Sequence, residues 1–577
     1  MIRDLWYKNA VIYSLSLEAF LDSDGDGIGD FKGAMRRLDY LQGLGVTAIW
    51  LAPFQPSPMR DHGYDIADYY AVDPRYGSLG DFVEFTQACH QRGMRVMMDL
   101  VINHCSDQHP WFQSAIADPN SRYRDYFIWS DEKPKDASKG VVFPGVQKTT
   151  WTYNRKARQY YFHRFFEFQP DLNIANPDVR EEFLKIVGFW LQLGVSGFRM
   201  DAVPFLIAED GINVQDPNPA YGLLRDIRAF AQWRKGDAVL LAEANIPPSE
   251  AMQYFGQDGD RLHMVFNFPV NQRLFYALAT KDAEPLKQAL EESRGLPDTG
   301  QWANFLRNHD ELDLGRLEPG QRKQVFAAFG PDKGMQLYDR GIRRRLAPML
   351  GGDRRRLELA NSLMLTMPGT PVIRYGDEIA MGDDLSLPER DAARTPMQWT
   401  DGVNGGFTTS DAPVRPVIAD NVYSYKVVNV AHQRTDTASF LNWTERALRL
   451  RKELPEIGWG EWTILDTPPH VLAIAYRWEI YTSLFVHNLS ERMIGCRLSL
   501  PDFMAEGATL VCLQSNEHHQ VEEGRTLPCV LDSYGYRWWR IGGLEDATNA
   551  AGINVSHAAV DARAERVAPR AVKAAAR

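Results

Sequence analysis

At 577 residues, with 44% hydrophobic, 11% aromatic and 24% charged side chains, the chain can bury large cores, and collagen-like, coiled-coil and disordered classes are excluded. Lys and Arg number 64 against 75 Asp and Glu, a net charge of −11, which offers nothing general to nucleic acid phosphates or anionic lipid. No apolar run reaches the ~18 residues that span a bilayer, so neither a nucleic acid nor a membrane partner is expected.

The start, MIRDLWYKNAVIY, places Asp4 and Lys8 ahead of any apolar stretch suited to a secretion signal. Five cysteines (Cys89, Cys105, Cys496, Cys512 and Cys529) lack CxxC spacing. Together these features predict a cytoplasmic protein with reduced thiols. Eight short β-rich apolar runs then follow one another, at 11–20, 46–53, 95–104, 196–203, 238–245, 262–269, 302–310 and 370–379. Helical patterns lie between them. Two of these, FKGAMRRLDYLQGLG and REEFLKIVGFWLQLG, end in a glycine suited to a helix C-cap.

Continuously apolar strands suit a parallel sheet covered on both faces. Eight of them alternating with helices predict an α/β fold, a (β/α)₈ TIM barrel. An open doubly wound sheet is the alternative, but no GxGxxG or P-loop pattern follows an early strand. The interval between the third and fourth strands is far longer than an ordinary βα loop. Residues 105–180 are therefore predicted to form a small inserted domain, leaving 1–104 and 181–455 for the barrel. From 456 the helical pattern gives way to alternating segments such as VLAIAYRW and YTSLFVHNLS, which predict a C-terminal antiparallel β domain over 456–545. Residues 546–577 are rich in Ala and Arg and carry no aromatic, so a disordered tail is expected there.

Barrel enzymes set their reactive groups at the C-terminal ends of strands. The fourth strand ends in GFRMDAV, where Arg199 and Asp201 stand two apart and so share a face. A guanidinium beside a carboxylate favours the ionised form that a nucleophile needs. The fifth ends in LLAEAN, which sets Glu243 after an apolar run where a carboxyl can keep its proton and act as an acid. The seventh ends in LRNHDE, with His309 and Asp310. Singly these groups read as an ion pair, a helix-start residue and a turn; three carboxylates at three strand ends point to a site.

Taken in order, DLVINH (99–104), QPDLN (169–173), GFRMDAV (197–203), LLAEAN (240–245) and FLRNHDE (305–311) resemble the signature blocks of the α-amylase family of retaining glycosidases and transglycosidases. The resemblance runs over roughly residues 1–545. It implies that Asp201 is the nucleophile, Glu243 the general acid/base and Asp310 the transition-state stabiliser, with His104, Arg199 and His309 touching the bound sugar. DHGYDIADYY and RDAARTPMQW are similar to the exo-acting, glucosidase-like branch. That likeness implies that Asp61 pairs with Arg394 to close the pocket around a terminal glucose, on whose face Tyr64 stacks.

Segment 337–399 resembles the trehalose synthase branch more narrowly. This implies a disaccharide substrate and intramolecular transglucosylation that interconverts maltose and trehalose. Two stretches depart from that pattern. ANIPPSEAM, after Glu243, lacks the usual Gln-Trp pair, and FLIAEDGIN, after DAVP, lacks an acidic residue where the family has a calcium ligand. The alternatives are an exo-acting α-glucosidase hydrolysing short α-glucosides and a catalytically inactive amylase-like binding module. Homo-oligomerisation is compatible with the sequence.

The stretch LDSDGDGIGDF alternates acidic residues with glycines like the start of an EF-hand, but Gly33 stands where the bidentate Glu would be. It resembles the calcium loop of the glucosidase-like branch, which implies Asp22, Asp24, Asp26, the carbonyl of Ile28 and Asp30 as ligands. Hard oxygen donors suit structural Ca²⁺, with Mg²⁺ as substitute; no organic cofactor is expected. A second cation site through Asn103 and Asp171, bridging barrel and insert, is left open. The histidines show no zinc-ligand spacing.

Overall fold

In the computed structural model, which describes residues 3–207, 218–420 and 422–543, all eight predicted apolar runs become strands of one closed barrel. They are β1 (Ile12–Leu15), β2 (Ala48–Leu51), β3 (Arg95–Leu100), β4 (Gly197–Met200), β5 (Val239–Ala242), β6 (Met264–Phe266), β7 (Gln301–Phe305) and β8 (Thr370–Arg374). Every strand runs parallel to its neighbours, and β8 pairs with β1 to close the ring. Side chains that alternate along the strands, among them Ile12, Trp50, Met97, Leu241, Phe266 and Phe305, fill the barrel interior. The others face outward onto the helices in a larger core.

The helices start and stop where their sequences dictate. Ser78 and Asp81 form a reciprocal capping box at the start of Leu79–Gln91. Asn176 caps Pro177–Gln192, whose first position is the proline that suits it. Gly45 and Gly194 end their helical segments at φ 105° and 107°, a left-handed turn that only glycine makes without strain.

Between β3 and β4 the chain leaves the barrel for a three-stranded antiparallel sheet, Trp129–Ser130, Gln159–Phe162 and Trp151–Asn154, with helix Pro110–Ala117 beside it. Bridges from His104 to Asp171 and from Phe127 to Leu172 fasten the returning chain at the barrel mouth. After β7 a second small sheet, Leu312–Asp313, Gly341–Ile342 and Gln336–Leu337, rises at the same end.

Beyond residue 460 lie a six-stranded and a two-stranded antiparallel sheet, with an apolar layer of their own. They dock on helix Arg354–Thr366, where Ser362 Oγ takes the indole N–H of Trp538 at 2.8 Å and meets His487 Nε2 at 2.9 Å. The disordered tail expected at 546–577 lies outside the described residues. No helix among the described residues is long and apolar enough to cross a membrane.

Candidate active site

The C-terminal ends of the strands open on a cavity of about 360 Å³. Seven of the residues expected from the sequence line it, Asp61, Tyr64, His104, Asp201, Glu243, His309 and Asp310. Arg199 lies beneath, buried, and is the hub of the site. Its Nη1 is 2.6 Å from Asp201 Oδ1, and its Nη2 is 2.9 Å from Glu243 Oε2. A third carboxylate, Asp99, pairs with the same guanidinium. Asp99 and Arg199 are register partners across β3 and β4, so the ladder itself sets them side by side. The indole N–H of Trp50, on β2, donates to Asp99 Oδ2 at 2.9 Å.

Ala202, next to Asp201, sits at φ 53°, a sparsely populated conformation for a residue with a Cβ. Its N–H donates to Glu243 Oε2 at 3.2 Å. One turn of backbone therefore links the two strand-end acids.

Electrostatics separates the three carboxyls expected to react. Burial pushes Asp201 up to about 6, although Arg199 pulls the other way. Desolvation outweighs the guanidinium that the sequence placed beside it, yet the group still ionises below neutrality. Burial likewise raises Glu243, to about 7, against the pull of Arg199. That is the value a proton donor needs near neutral pH. Burial acts against ionised Asp310 too, but His309, Arg390 and Arg394 around it hold its carboxyl well below the usual range.

One expectation needs correction. Asp61 does not pair with Arg394; its partner is Arg390, with Nη2 2.9 Å from Oδ1. Arg390 also reaches Asp310 Oδ1 through Nη1, at 2.8 Å, and so straps the two acids together across one side of the pocket. Arg394 lies one layer deeper. It contacts Asp310 Oδ1 at 3.1 Å and donates through Nε to the carbonyl of His309 at 2.8 Å. RDAARTPMQW begins with Arg390, so the motif carried both arginines, and only the fold could assign them. Asp99 and Gln169 were also missed. Gln169 Nε2 donates to Asp61 Oδ2 at 2.9 Å and lies 3.2 Å from His104 Nε2.

Tyr64 packs its ring on His309, with centroids 5.4 Å apart and planes 18° from parallel. Its hydroxyl is 2.9 Å from His309 Nε2. Burial holds both His104 and His309 near 4, so both rings are neutral at physiological pH. The far wall is polar, with Asn245, Asp313, Arg316 and Arg340. Asn245 donates to Asp313 Oδ2 at 2.8 Å and accepts from Arg316 Nε at 2.9 Å.

Over residues 12–323 and 341–460 the chain matches the model of the α-amylase catalytic domain. This chain belongs to the α-amylase family. Residues 482–540 match the sucrose hydrolase-like C-terminal domain. The trehalose synthase/amylase of Mycobacterium tuberculosis is 43% identical over 475 residues, 81% of this chain and 79% of that one. The trehalose synthase of Thermus thermophilus is 43% identical over 526 residues, 90% of this chain but 54% of that protein, so the chain spans about half of it. Among solved structures, the trehalulose synthase of Pseudomonas mesoacidophila MX-45 matches with a TM-score of 0.74 at 28% identity, covering 93% of this chain and 99% of that one.

Of the two departures from the family pattern, ANIPPSEAM reaches the far wall through Asn245. After Asn245 the chain enters helix Pro248–Phe255 through consecutive prolines. Most of FLIAEDGIN falls outside the described residues.

In the acidic loop, oxygens of Asp22, Asp24 and Asp30 lie within 4.8 Å of one another. Asp26, expected among the ligands, falls outside that cluster; its Oδ1 accepts the N–H of Ile28 at 2.7 Å, a local turn that holds the carboxylate. Gly27, at φ 97°, lets the loop press on a neighbour: a Cβ there would lie 2.2 Å from the carbonyl of Ala412. Asn103 and Asp171 line one small cavity where the insert meets the barrel. The acidic cluster found among the described residues does not include Asp171.

The two pKa values set the pH dependence. With Asp201 as the expected nucleophile and Glu243 as the expected proton donor, turnover should fall as Asp201 takes up its proton below about 6 and as Glu243 loses its own above about 7. A kcat/KM profile should be a bell with its maximum between those values, the limbs belonging to the coupled pair. Activity still climbing at pH 9 would assign the acid elsewhere.

Proposed function

We propose that this protein is a retaining α-glucosyl-transferring enzyme that isomerises maltose to trehalose. The observation that carries the reading is the strap Asp61–Arg390–Asp310, which closes one side of the pocket directly beside Asp201 and Glu243. Trehalose synthases aligned over most of the chain support the choice of reaction.

Glu243 protonates the glycosidic oxygen of maltose while Asp201 attacks C1, giving a covalent β-glucosyl ester through an oxocarbenium-like state. The negative charge thereby passes from Asp201 to Glu243. Both are within hydrogen-bonding distance of Arg199, so the guanidinium meets the same total charge before and after. Asp310, kept ionised by its arginines, binds ring hydroxyls and favours the distorted sugar near the transition state.

The freed glucose then turns within the pocket and presents its anomeric hydroxyl. Glu243 takes that proton, and the oxygen attacks C1 with net retention to make the α-1,1 bond. Isomerisation demands that water be kept from the ester during this turn, and the strap serves that end. The donors and acceptors of the far wall, Asn245, Asp313, Arg316 and Arg340, suit the hydroxyls of the turning glucose. An inactive binding module is disfavoured, because all three acids and their arginines converge on one cavity.

Ca²⁺ fits the Asp22, Asp24 and Asp30 cluster, a set of hard carboxylate oxygens close enough to share an ion. Its role would be structural, holding the loop after β1 against residues 407–414. The five thiols are free, which suits a reducing, cytoplasmic setting.

Maltose incubation followed by product chromatography tests the reaction. Trehalose should predominate over glucose, and Arg390→Ala should raise the glucose fraction severalfold by admitting water; predominant glucose from the unsubstituted protein would make it a hydrolase. Chelation should lower the melting temperature by several degrees, restored by Ca²⁺. A melting curve indifferent to both treatments would reject the ion.

A further inference from the structure

The two-stranded antiparallel sheet of the C-terminal domain, Ile494–Ser499 against Thr526–Leu531, pairs Cys496 directly with Cys529. The chain has five cysteines in 577 residues, and two of them stand opposite one another on one ladder. They also share a face. Residues two apart along a strand point the same way, so the pair lies in a row with Ile494–Leu531 and Leu498–Leu527, and that row packs into the apolar layer of the domain. Opposed residues of an antiparallel ladder have Cα atoms ~4.5–5.5 Å apart, within the ~4.4–6.8 Å that a disulfide spans. The ladder itself therefore supplies the backbone spacing of a cross-link.

Exposure and acidity give the two thiols different parts. Cys89, Cys105, Cys512 and Cys529 are buried and Cys496 is half-buried, so a reagent in solution meets Cys496 first. The Cys529 thiol hydrogen-bonds to Cys496 and, outweighing burial, draws it down to about 7, which leaves a large thiolate fraction at neutral pH. The same contact, together with burial, pushes Cys529 up, so it remains the protonated partner. An attacking thiol is most effective when its pKa lies near the ambient pH. Packing alone would be served by another aliphatic pair, as at the flanking positions; it calls for neither an accessible sulfur nor a lowered pKa.

We propose that Cys496 and Cys529 form a redox-modification site, closed to a cross-strand disulfide by a low-molecular-weight disulfide of the glutathione type and reopened by excess thiol. The Cys496 thiolate attacks one sulfur of the small disulfide, expelling one thiolate and leaving a mixed disulfide. The Cys529 thiol then gives up its proton and attacks Cys496 Sγ, expelling the second thiolate. The protein dithiol loses two electrons; the small disulfide gains them, and with the protons of both protein thiols it leaves as two small thiols. The cross-link closes residues 497–528 into a loop that contains strands Thr509–Cys512 and His518–Gln520 of the six-stranded sheet, so it braces both sheets of the domain against unfolding. It also protects Cys496 from oxidation beyond the reversible stage. Neither the site nor its chemistry depends on the proposed glucosyl transfer.

Incubation of the full-length protein with oxidised glutathione, followed by denaturation, alkylation with iodoacetamide, intact-mass spectrometry and digestion without reduction, tests this. The reduced protein should take up five labels and the oxidised protein three, with the Cys496 and Cys529 peptides joined, and dithiothreitol should restore all five. The oxidised form should melt several degrees higher. Cys529→Ser should stop at a lasting glutathione adduct on Cys496. Cys496→Ser, at the half-buried position, should keep its four remaining thiols open to alkylation, and serves if the Cys529 variant does not fold. Five labels after oxidation, a cross-link joining any other pair, or an oxidised form that melts no higher would overturn the proposal.

Discussion

Arg199 is the one cation shared by Asp99, Asp201 and Glu243, and the site depends on it. Three carboxyls withdrawn from water at the top of a closed barrel repel one another and lose hydration, and either effect alone would keep them protonated. The guanidinium offsets enough of this to leave Asp201 ionising near 6 and Glu243 near 7. Removing it would strand three acids, so its loss should be felt in folding as well as in chemistry. The fork geometry matters as much as the charge: Nη1 serves Asp99 and Asp201 while Nη2 serves Glu243, a division that the point charge of a lysine cannot make.

Around that hub, segments far apart in sequence supply the walls. Tyr64 and Asp61 come from the loop after β2, Gln169 from the returning insert, Asp310 from the end of β7 and Arg390 from beyond β8. Each contact couples two of these loops, so the pocket has no independent half. This is the arrangement expected when a scaffold fixes strand ends and leaves specificity to the connections between them. It also explains the position of the insert, whose returning strand bridges at His104 and Asp171 bring Gln169 onto Asp61.

Strand periodicity and strand-end chemistry were legible in the sequence because both are local. Alternation gives the face, the face gives the cavity, and Arg199, Asp201 and Glu243 follow from two short segments. Long-range side-chain pairing was not. Arg390 and Arg394 stand four apart in the same segment, and both reach toward Asp310; which one meets Asp61 is decided by a short 3-10 turn over Glu389–Ala393. Asp99 was hidden for the opposite reason, since it reads as one more residue of an apolar strand until the register with Arg199 is known. In the acidic loop the alternation of Asp residues predicted a ring of ligands, and the fold draws together oxygens of Asp22, Asp24 and Asp30, while Asp26 turns onto the N–H of Ile28.

The central claim is that charge moves from Asp201 to Glu243 through a glucosyl ester on Asp201. Trapping that ester with a slow fluorinated glucosyl fluoride, followed by proteolysis and mass spectrometry, addresses it directly. The account predicts one glucosyl adduct, on the peptide carrying Asp201 and no other. An adduct on a different residue, or fluoride release with no adduct at any time, would contradict it.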